Sequence, residues 1–384
     1  MKVLFVTLPG LGHFFPVVPL AWALRAAGHE VLFVTGYRAL DACGQAGLPA
    51  VDACPGAEFT PPHGPGDLRL LRDPFSGPQA GAVAGMFGRI NDLMADRTVM
   101  TARWWKPDLI VHTPFCLAGA LAAALGSVEA VVHGFGLVSA ALTARFNELI
   151  YEAARSAFER HGLAHPPGPP AAVIDTCPRS MREPGRPPGW ASRYVPYNGG
   201  GRVPDWLLEP SGRPLVCVTL GTAVPHVLGV GGAGAVMEAV RGLEVEVVLA
   251  LGDADPSALG VLPPNVRLTG WVPLSALLPA CSVIVHHGGA GTTMNAVAAG
   301  VPQLVLPHMA DQHLNAQAVV RRGIGLSHLP EETGAAEVRD SLDRLLSDQA
   351  FVRAAREVRE ENEGEAPPAA LVRLLAELAG KEAG

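Results

Sequence analysis

Short apolar runs alternate with helical periods along most of the chain. The first half has apolar runs at 3–8, 31–34, 109–111 and 130–132, with a turn over 9–15 and an amphipathic stretch over 16–27. The second half repeats the scheme at 215–220, 245–249, 266–269, 283–285 and 304–306. Apolar runs of this length between helical segments are typical of buried parallel strands covered by helices. The pattern predicts an α/β protein with two doubly wound, Rossmann-like domains.

A glycine-rich segment separates the two halves. Gly199, Gly200 and Gly201 stand in a row between Pro196 and Pro204, which excludes the interior of a helix or strand. We therefore predict an N-terminal domain over 1–198, a linker over 199–212 and a C-terminal domain over 213–365, followed by a C-terminal helix within 366–384. Two such domains face each other across a cleft, and ligands bind at the carboxyl ends of the strands.

Composition and charge narrow the class of protein. The chain has 384 residues, of which 49% are apolar, and no run approaches the ~18 consecutive apolar residues of a membrane span. The first six residues lead directly into a strand pattern, so we predict no signal peptide. The net charge of −7 argues against nucleic acid as a partner. The six cysteines are scattered without a CxxC pair, which is typical of reduced thiols in a cytoplasmic protein.

The segment 282–316 carries the most specific signal. An apolar run leads into His286 and His287, a small-residue turn over Gly288–Gly291, a helical stretch to Gly300 and a second apolar run. Such a turn presents free amides at a helix N-terminus, where the dipole favours an anion, and glycine lets a phosphate approach closely. The pattern predicts a diphosphate cradle. It lacks the lysine of a P-loop and the three spaced glycines of a dinucleotide fingerprint.

The same residues resemble the donor-binding signature of inverting nucleotide-sugar glycosyltransferases with the GT-B fold. The match begins at Trp271-Val272-Pro273, and it continues through His287–Thr292, Gly300-Val301-Pro302, Pro307, Asp311-Gln312 and Asn315-Ala316. The resemblance implies that Trp271 stacks on the nucleobase, that the Val272 backbone pairs with its edge, and that Asp311 and Gln312 bind sugar hydroxyls. The remaining donor-binding residues that it implies are Gly12, Gly221, Thr222, His287, Gly289, Ala290, Gly291 and Thr292. In this family the last helix usually crosses back onto the first domain.

The turn after the first apolar run contains the candidate base. His13 matches the general base of the family, and a neutral imidazole takes a proton from an attacking hydroxyl. Most relatives have a carboxylate that supports this histidine, but Thr113 stands at that position here. Three readings remain open: an acceptor acidic enough to need little help, another carboxylate from the 60–100 loops or the 140s, or a histidine that mainly positions the acceptor.

The resemblance is greatest to bacterial glycosyltransferases of antibiotic biosynthesis, which transfer deoxysugars to natural-product aglycones. Plant members carry a glutamate that binds both ribose hydroxyls, and Asn295 stands at that position. We therefore expect a thymidine-type diphosphate donor. Loops over 59–85 and 140–170 would reach the cleft, and we expect the acceptor to contact Phe14, Phe75, Met86, Phe115 and Phe135.

The resemblance implies a single displacement that inverts the anomeric carbon without a metal or a cofactor other than the TDP-sugar co-substrate. The sequence shows no carboxylate cluster with metal-ligand spacing, and a monomer or homodimer is expected. Three alternatives compete with this interpretation. They are a catalytically weak binding protein on the same fold, suggested by Thr113, a sugar-nucleotide epimerase, and an NAD-dependent oxidoreductase. The oxidoreductase is disfavoured because Phe15 replaces a required glycine and no acidic residue follows the second strand.

Overall fold

The chain forms two parallel sheets. The computed structural model describes residues 1–57, 75, 79–183, 189–209 and 212–381. The first sheet has the order β3-β2-β1-β4-β5-β6-β7, and every neighbouring pair is parallel. Its strands are β1 (Lys2–Val6), β2 (Glu30–Thr35), β3 (Ala50–Asp52), β4 (Leu109–His112), β5 (Ala130–His133), β6 (Ala172–Asp175) and β7 (Trp190–Ala191).

The second sheet has the order β10-β9-β8-β11-β12-β13 and is also parallel throughout. Its strands are β8 (Leu215–Thr219), β9 (Glu246–Ala250), β10 (Val266–Thr269), β11 (Val283–His286), β12 (Gln303–Val305) and β13 (Gly325–Ser327). The order reverses beside β1 in one sheet and beside β8 in the other, so each sheet has a switch point at its centre. The predicted α/β class with two doubly wound units is confirmed.

Helices cover both faces of each sheet. Those that follow strands of the first sheet are α1 (Leu11–Phe14), α2 (Val18–Ala26), α3 (Tyr37–Gln45), α4 (Gln79–Trp105), α5 (Leu117–Gly126) and α6 (Ala140–Arg160). Those of the second half are α7 (Val224–Leu228), α8 (Gly234–Val240), α9 (Leu274–Leu277), α10 (Ala290–Ala299), α11 (Gln312–Arg322), α12 (Ala335–Ser347), α13 (Gln349–Gly364) and α14 (Pro368–Leu378). In the described ranges, no helix is both long and apolar enough to span a bilayer.

The central strands are the ones that the apolar runs predict. Residues 3–6 of β1 and all of β4 and β11 are buried, because helices cover both faces of a parallel sheet. The four strands without a predicted run are β3, β6, β7 and β13, which have two to four residues each and lie toward the sheet edges. The end of the aperiodic segment 59–85 belongs to α4, while 58–74 and 76–78 lie outside the described residues.

The last helix of the chain packs against the first half. Leu371 and Leu375 of α14 are buried in a cluster with Val17, Leu20 and Leu24, beside α2. The chain reaches this place from α13, which lies against α10 of the second half. The C-terminal segment therefore joins the two halves by apolar burial.

Tyr194, which follows β7, joins the halves by hydrogen bonds. Its amide donates to Asn362 Oδ1 at 2.9 Å, and Asn362 Nδ2 donates to its carbonyl at 3.1 Å. Its hydroxyl accepts from Asn295 Nδ2 at 3.2 Å. Tyr194, Asn295 and Asn362 are all buried. One tyrosine thus ties the end of the first unit to both α13 and α10.

Replacing Asn362 with alanine is expected to lower the free energy of unfolding by about 2–4 kcal/mol, because two buried backbone groups of Tyr194 lose their partners. Urea unfolding of Asn362→Ala against wild type measures this. Glu360→Ala, an exposed change on the same helix, is the control and should fall within about 0.5 kcal/mol of wild type. Equal stability of Asn362→Ala and the control would contradict the role given to Tyr194.

Candidate active site

His13 lies in the turn that follows β1. The turn closes through a hydrogen bond from the His13 amide to the Gly10 carbonyl at 3.0 Å. The side chain is half-buried, with Nδ1 3.3 Å from Thr113 Oγ1 and the ring 4.8 Å from the ring of Phe135 in an edge-to-face arrangement. Burial lowers the pKa of His13 to about 4. The imidazole is therefore neutral at pH 7 and has a free lone pair to offer.

Thr113 reaches His13 because β4 lies beside β1. The Thr113 amide donates to the Val6 carbonyl at 3.3 Å, which places the two turns side by side, and its side chain is fully buried. Among the residues that the structure describes, no carboxylate bonds to His13 or alters its pKa. A substitute carboxylate from the 140s is therefore excluded. One from residues 58–74 or 76–78 would lie outside the described residues.

The turn after Thr113 is held in an unusual conformation. Phe115 has a φ of +68°, which is rare for a residue with a side chain. Buried Asn91 of α4 stabilises it: its Nδ2 donates to the Phe115 carbonyl and its Oδ1 accepts from the Ala118 amide, both at 2.9 Å. The turn after Thr113 is thus held by two hydrogen bonds with Asn91.

The turn that is predicted to form the cradle lies at the N-terminus of α10. Gly289 precedes the helix and no side chain caps it, so the first-turn amides of Ala290, Gly291 and Thr292 have no intrahelical acceptor. His287 lies beneath this turn, buried, and burial is the main cause that lowers its pKa to about 3. The cradle therefore offers amide dipoles and a neutral imidazole to an anion.

Gly221, directly after β8, closes the other side of the cradle. A Cβ at this position would stand 2.3 Å from Cε1 of the His287 ring, and its φ is +67°. Its amide donates to Thr219 Oγ1 at 3.2 Å, and half-buried Thr222 follows. Only glycine allows the β8 turn and the β11 turn to lie this close.

The loop after β5 connects the base to the cradle. Phe135 touches His13, as described above, and the adjacent Gly136 lies against Ala290, where a Cβ on the glycine would stand 2.7 Å from the alanine Cβ. The two halves therefore meet with the imidazole on one side of this loop and the free amides of α10 on the other. The loop after β5 thus contacts both the candidate base and the first residue of α10.

Trp271 stands beside the linker, at the start of the signature. Its indole Nε1 donates to the Asn198 carbonyl at 3.1 Å, and its ring packs edge-to-face with Phe15 at 6.3 Å. The ring remains 39% exposed. Asn198 also accepts from the Ser275 amide at 3.0 Å, so it fastens the linker to this segment. Trp271 thus offers an exposed and fixed aromatic surface.

Some side chains of the polar cluster after β12 already make hydrogen bonds within the protein. Gln312 is buried, and its Oε1 accepts from the amides of His308 and Met309 at 2.8 and 3.0 Å. Asn315 Nδ2 donates to Asp311 Oδ2 at 2.9 Å and to the Gly288 carbonyl at 2.7 Å. Burial raises the pKa of Asp311. The Asp311 carboxylate is therefore fixed next to the cradle, whereas the Gln312 oxygen is already engaged.

One sequence prediction, that for Phe14, needs correction, and Asn295 has a further structural role. Phe14 is fully buried and packs edge-to-face on Phe33 at 5.4 Å, on the side of the first sheet away from Phe115, so it belongs to the core and lines no cleft. The Asn295 amide points at Tyr194 and at the Gly291 carbonyl, 2.7 Å away. Asn295 therefore stabilises the contact between the two halves, in addition to lacking the carboxylate of the plant members.

The other predicted acceptor residues lie together. Phe75, Met86, Phe115 and Phe135 belong to one apolar cluster of the first unit, with Phe75 and Met86 half-buried and the other two buried. Gly12 is exposed next to His13.

Sequence reasoning missed Asn91, Asn198, Tyr194 and His308. His308 lies beside the cradle, its Nε2 is buried and has no hydrogen-bond partner among the described residues, and it contributes to the lowered pKa of His287. No motif marks Asn91, and Asn198 directly precedes the three linker glycines. Only the folded chain brings the two asparagines to the site. In the described part of the chain, no group of three or more histidine, cysteine, aspartate or glutamate residues has the geometry of a metal site.

Comparisons with known proteins show the family of this chain. Residues 22–221 match the N-terminal domain and residues 234–378 the C-terminal domain of the erythromycin biosynthesis protein CIII-like family. The elloramycin glycosyltransferase ElmGT of Streptomyces olivaceus is 42% identical over 376 residues, which cover 94% of this chain and 93% of that protein.

Two solved structures have the same fold over nearly the whole chain. The glycosyltransferase SnogD of Streptomyces nogalater is 39% identical with a TM-score of 0.82, and the match covers 99% of each chain. The glycosyltransferase VinC, solved in complex with dTDP, is 30% identical with a TM-score of 0.82 and covers 99% of this chain and 100% of its own. The chain belongs to the erythromycin CIII-like family of GT-B natural-product glycosyltransferases.

Proposed function

We propose that this enzyme transfers a deoxysugar from a TDP-sugar to a hydrophobic natural-product aglycone, with inversion at the anomeric carbon and without a metal. The observation that carries the proposal is the loop after β5, because Phe135 touches the candidate base while Gly136 touches the first residue of the cradle helix. Base and leaving-group site are thus brought together across the cleft.

The donor binds to the second half in this proposal. The diphosphate accepts from the free amides of α10, and the exposed face of Trp271 stacks on the base. Neither the amide nor the carbonyl of Val272 has a hydrogen-bond partner in the described part of the chain, so both are available to a pyrimidine edge. The dTDP complex of VinC supports thymidine diphosphate as the nucleotide, as does the missing carboxylate at Asn295.

The reaction is a direct displacement. Thr113 Oγ1 accepts a hydrogen bond from Nδ1–H of His13, which leaves the Nε2 lone pair to take the proton of the acceptor hydroxyl. The acceptor oxygen attacks the anomeric carbon from the side of the first sheet, and the diphosphate leaves toward α10. Attack opposite to the leaving group inverts the configuration.

The leaving group is stabilised by dipoles. The positive end of α10 and its unpaired amides face the charge that develops on the diphosphate, and such preorganised donors act strongly where water is excluded. This arrangement supports turnover without a divalent cation.

Nucleotide binding is the first expectation to test. Thermal shift and calorimetry should show that TDP binds more tightly than UDP, GDP, ADP or NAD. Trp271→Ala should weaken TDP binding by roughly 5- to 150-fold, since loss of a stacked base costs about 1–3 kcal/mol. Trp104→Ala, a 73% exposed tryptophan on α4, is the control and should bind normally. Stabilisation by NAD alone would rule out the donor site.

Gly221→Ala tests the cradle itself. The added methyl collides with His287, so we expect TDP affinity to fall at least about tenfold, which is 1.4 kcal/mol. Gly323→Ala serves as control, because Gly323 also has a positive φ, +74°, but has open space around its Cα. Gly323→Ala should lose about 1 kcal/mol of stability from backbone strain, and Gly221→Ala should lose about 1–3 kcal/mol more from the overlap with His287. Equal TDP affinity in the two variants would mean that the β8 turn does not shape the cradle.

His13→Ala should lower kcat by about 10²- to 10⁴-fold and leave TDP affinity unchanged, as expected for a general base. The control is His165→Ala at an exposed site. The neutral imidazole is the active form, so kcat/KM of the wild type should fall on acidification through about pH 4, not near 6.5. Unchanged turnover of His13→Ala would show that His13 is at most a positioning residue, whereas an acid limb near 6.5 would contradict only the lowered pKa.

A further inference from the structure

His13 has no charge compensation within the described residues. Its Nδ1 partner is the hydroxyl of Thr113, and its other close neighbour is the ring of Phe135. The nearest histidine along β4, His112, is itself buried and neutral, with its Nδ1 against the Thr113 carbonyl at 3.1 Å. A hydroxyl fixes the orientation of an imidazole, but it does not stabilise an imidazolium as a carboxylate does. Within the described residues, each proton that His13 accepts therefore creates a charge with no carboxylate beside it.

A base in this setting makes the rate depend strongly on the acidity of the acceptor. A phenol has a pKa of about 10, as in tyrosine, whereas an aliphatic hydroxyl is closer to water, at about 15.7. Proton transfer in the transition state follows the difference in pKa between donor and base. A weak, desolvated base thus suits a phenolic acceptor far better than an aliphatic one.

The wall beside His13 is aromatic. Phe135 adjoins Phe115 at 6.3 Å, Phe115 stacks on Phe75 at 5.8 Å, and Phe87 lies 5.5 Å from Phe115. Phe75 and Phe87 are only half-buried, so this wall keeps a partly open edge. Aromatic rings pack on one another by edge and offset contacts, which favours a flat aromatic guest.

We infer that the acceptor nucleophile is a phenolic hydroxyl on a planar aromatic aglycone, selected because Thr113 replaces the carboxylate that would activate an aliphatic alcohol. The inference rests on the proposed function and names its acceptor class. In the step, the phenolic oxygen forms the bond to the anomeric carbon while the bond from that carbon to the diphosphate oxygen breaks. The phenolic proton passes to Nε2 of His13, and TDP leaves with the bonding electron pair.

Two isomeric acceptors test this without any mutation. The aromatic alcohol 5,6,7,8-tetrahydro-2-naphthol and its isomer 1,2,3,4-tetrahydro-2-naphthol have the same atoms and skeleton, and they differ in whether the hydroxyl is phenolic. Each is assayed at pH 7.5 with TDP-glucose and TDP-L-rhamnose, with product measured by mass spectrometry. We expect kcat/KM to be at least about 100-fold higher for the phenol. In a series of ring-substituted phenols, the rate should change systematically with their pKa.

A pair of variants isolates the role of position 113. Thr113→Asp supplies the missing carboxylate and should narrow the phenol-to-alcohol ratio at least about tenfold by raising the rate with the alcohol. Thr113→Asn matches the shape of the aspartate side chain without its charge and should keep the wild-type phenol-to-alcohol ratio. Circular dichroism checks that both variants fold. If Thr113→Asp does not fold, the wild-type ratio and the phenol series decide the matter.

The outcomes distinguish failure of the phenolic acceptor class from failure of the proposed glycosyltransferase function. Comparable rates with the two isomers would overturn the phenolic class and leave the glycosyltransferase function standing. Transfer to neither isomer from either donor, by a protein that binds TDP, would count against the proposed TDP-sugar transfer and the inference together. A phenol preference that Thr113→Asp leaves unchanged would overturn the role assigned to Thr113.

Discussion

The site depends on the hydrogen bonds that Tyr194 makes between the halves. This residue follows the last strand of the first sheet, and it is bonded to Asn362 on α13 and to Asn295 on α10. The N-terminus of α10 is the cradle, so one buried tyrosine fixes the anion site relative to the sheet that carries His13. Buried polar groups are costly when unpaired, and each partner therefore holds the others in place.

The N-terminus of α10 is also positioned by close backbone approach. Gly136 lies against Ala290, and Gly221 lies against His287, with no room for a side chain at either glycine. These contacts bring the first sheet's β5 loop and the second sheet's β8 turn to the same helix terminus. Since α14 also packs its leucines onto the core beside α2, the halves are joined by burial, hydrogen bonds and shape together. The cleft is thus a product of both sheets.

The electrostatics of the site follow from the burial of its histidines. His13, His112, His133, His286, His287 and His308 all have pKa values lowered to about 3 or 4, with burial as the first cause. Most of them stand at or just past the carboxyl ends of parallel strands, where the two sheets meet. At neutral pH these rings are uncharged, so the proposed diphosphate site relies on amides and the helix dipole. The same burial leaves His13 a weak base, and its only Nδ1 partner in the described ranges is a hydroxyl.

Local chemistry along the chain determined the general plan. Continuous apolar runs predicted the central strands, because a strand buried on both faces can carry little else. The turn from His286 to Thr292 predicted an anion cradle, because small residues before a helix leave amides exposed. The short edge strands carried too few apolar residues to be recognised, and the start of α4 was hidden in a segment rich in proline and glycine.

Only the tertiary structure decided which side chains reach the cleft. Phe14 and Phe115 look alike in the sequence, yet one packs on Phe33 in the core and the other is held by Asn91 beside Thr113. Asn295 stands in the signature and bonds to Tyr194, 101 residues earlier in the chain. Sequence periodicity is local and specifies which face of an element is apolar. The partner on that face depends on how the two sheets come together, and no local pattern encodes that.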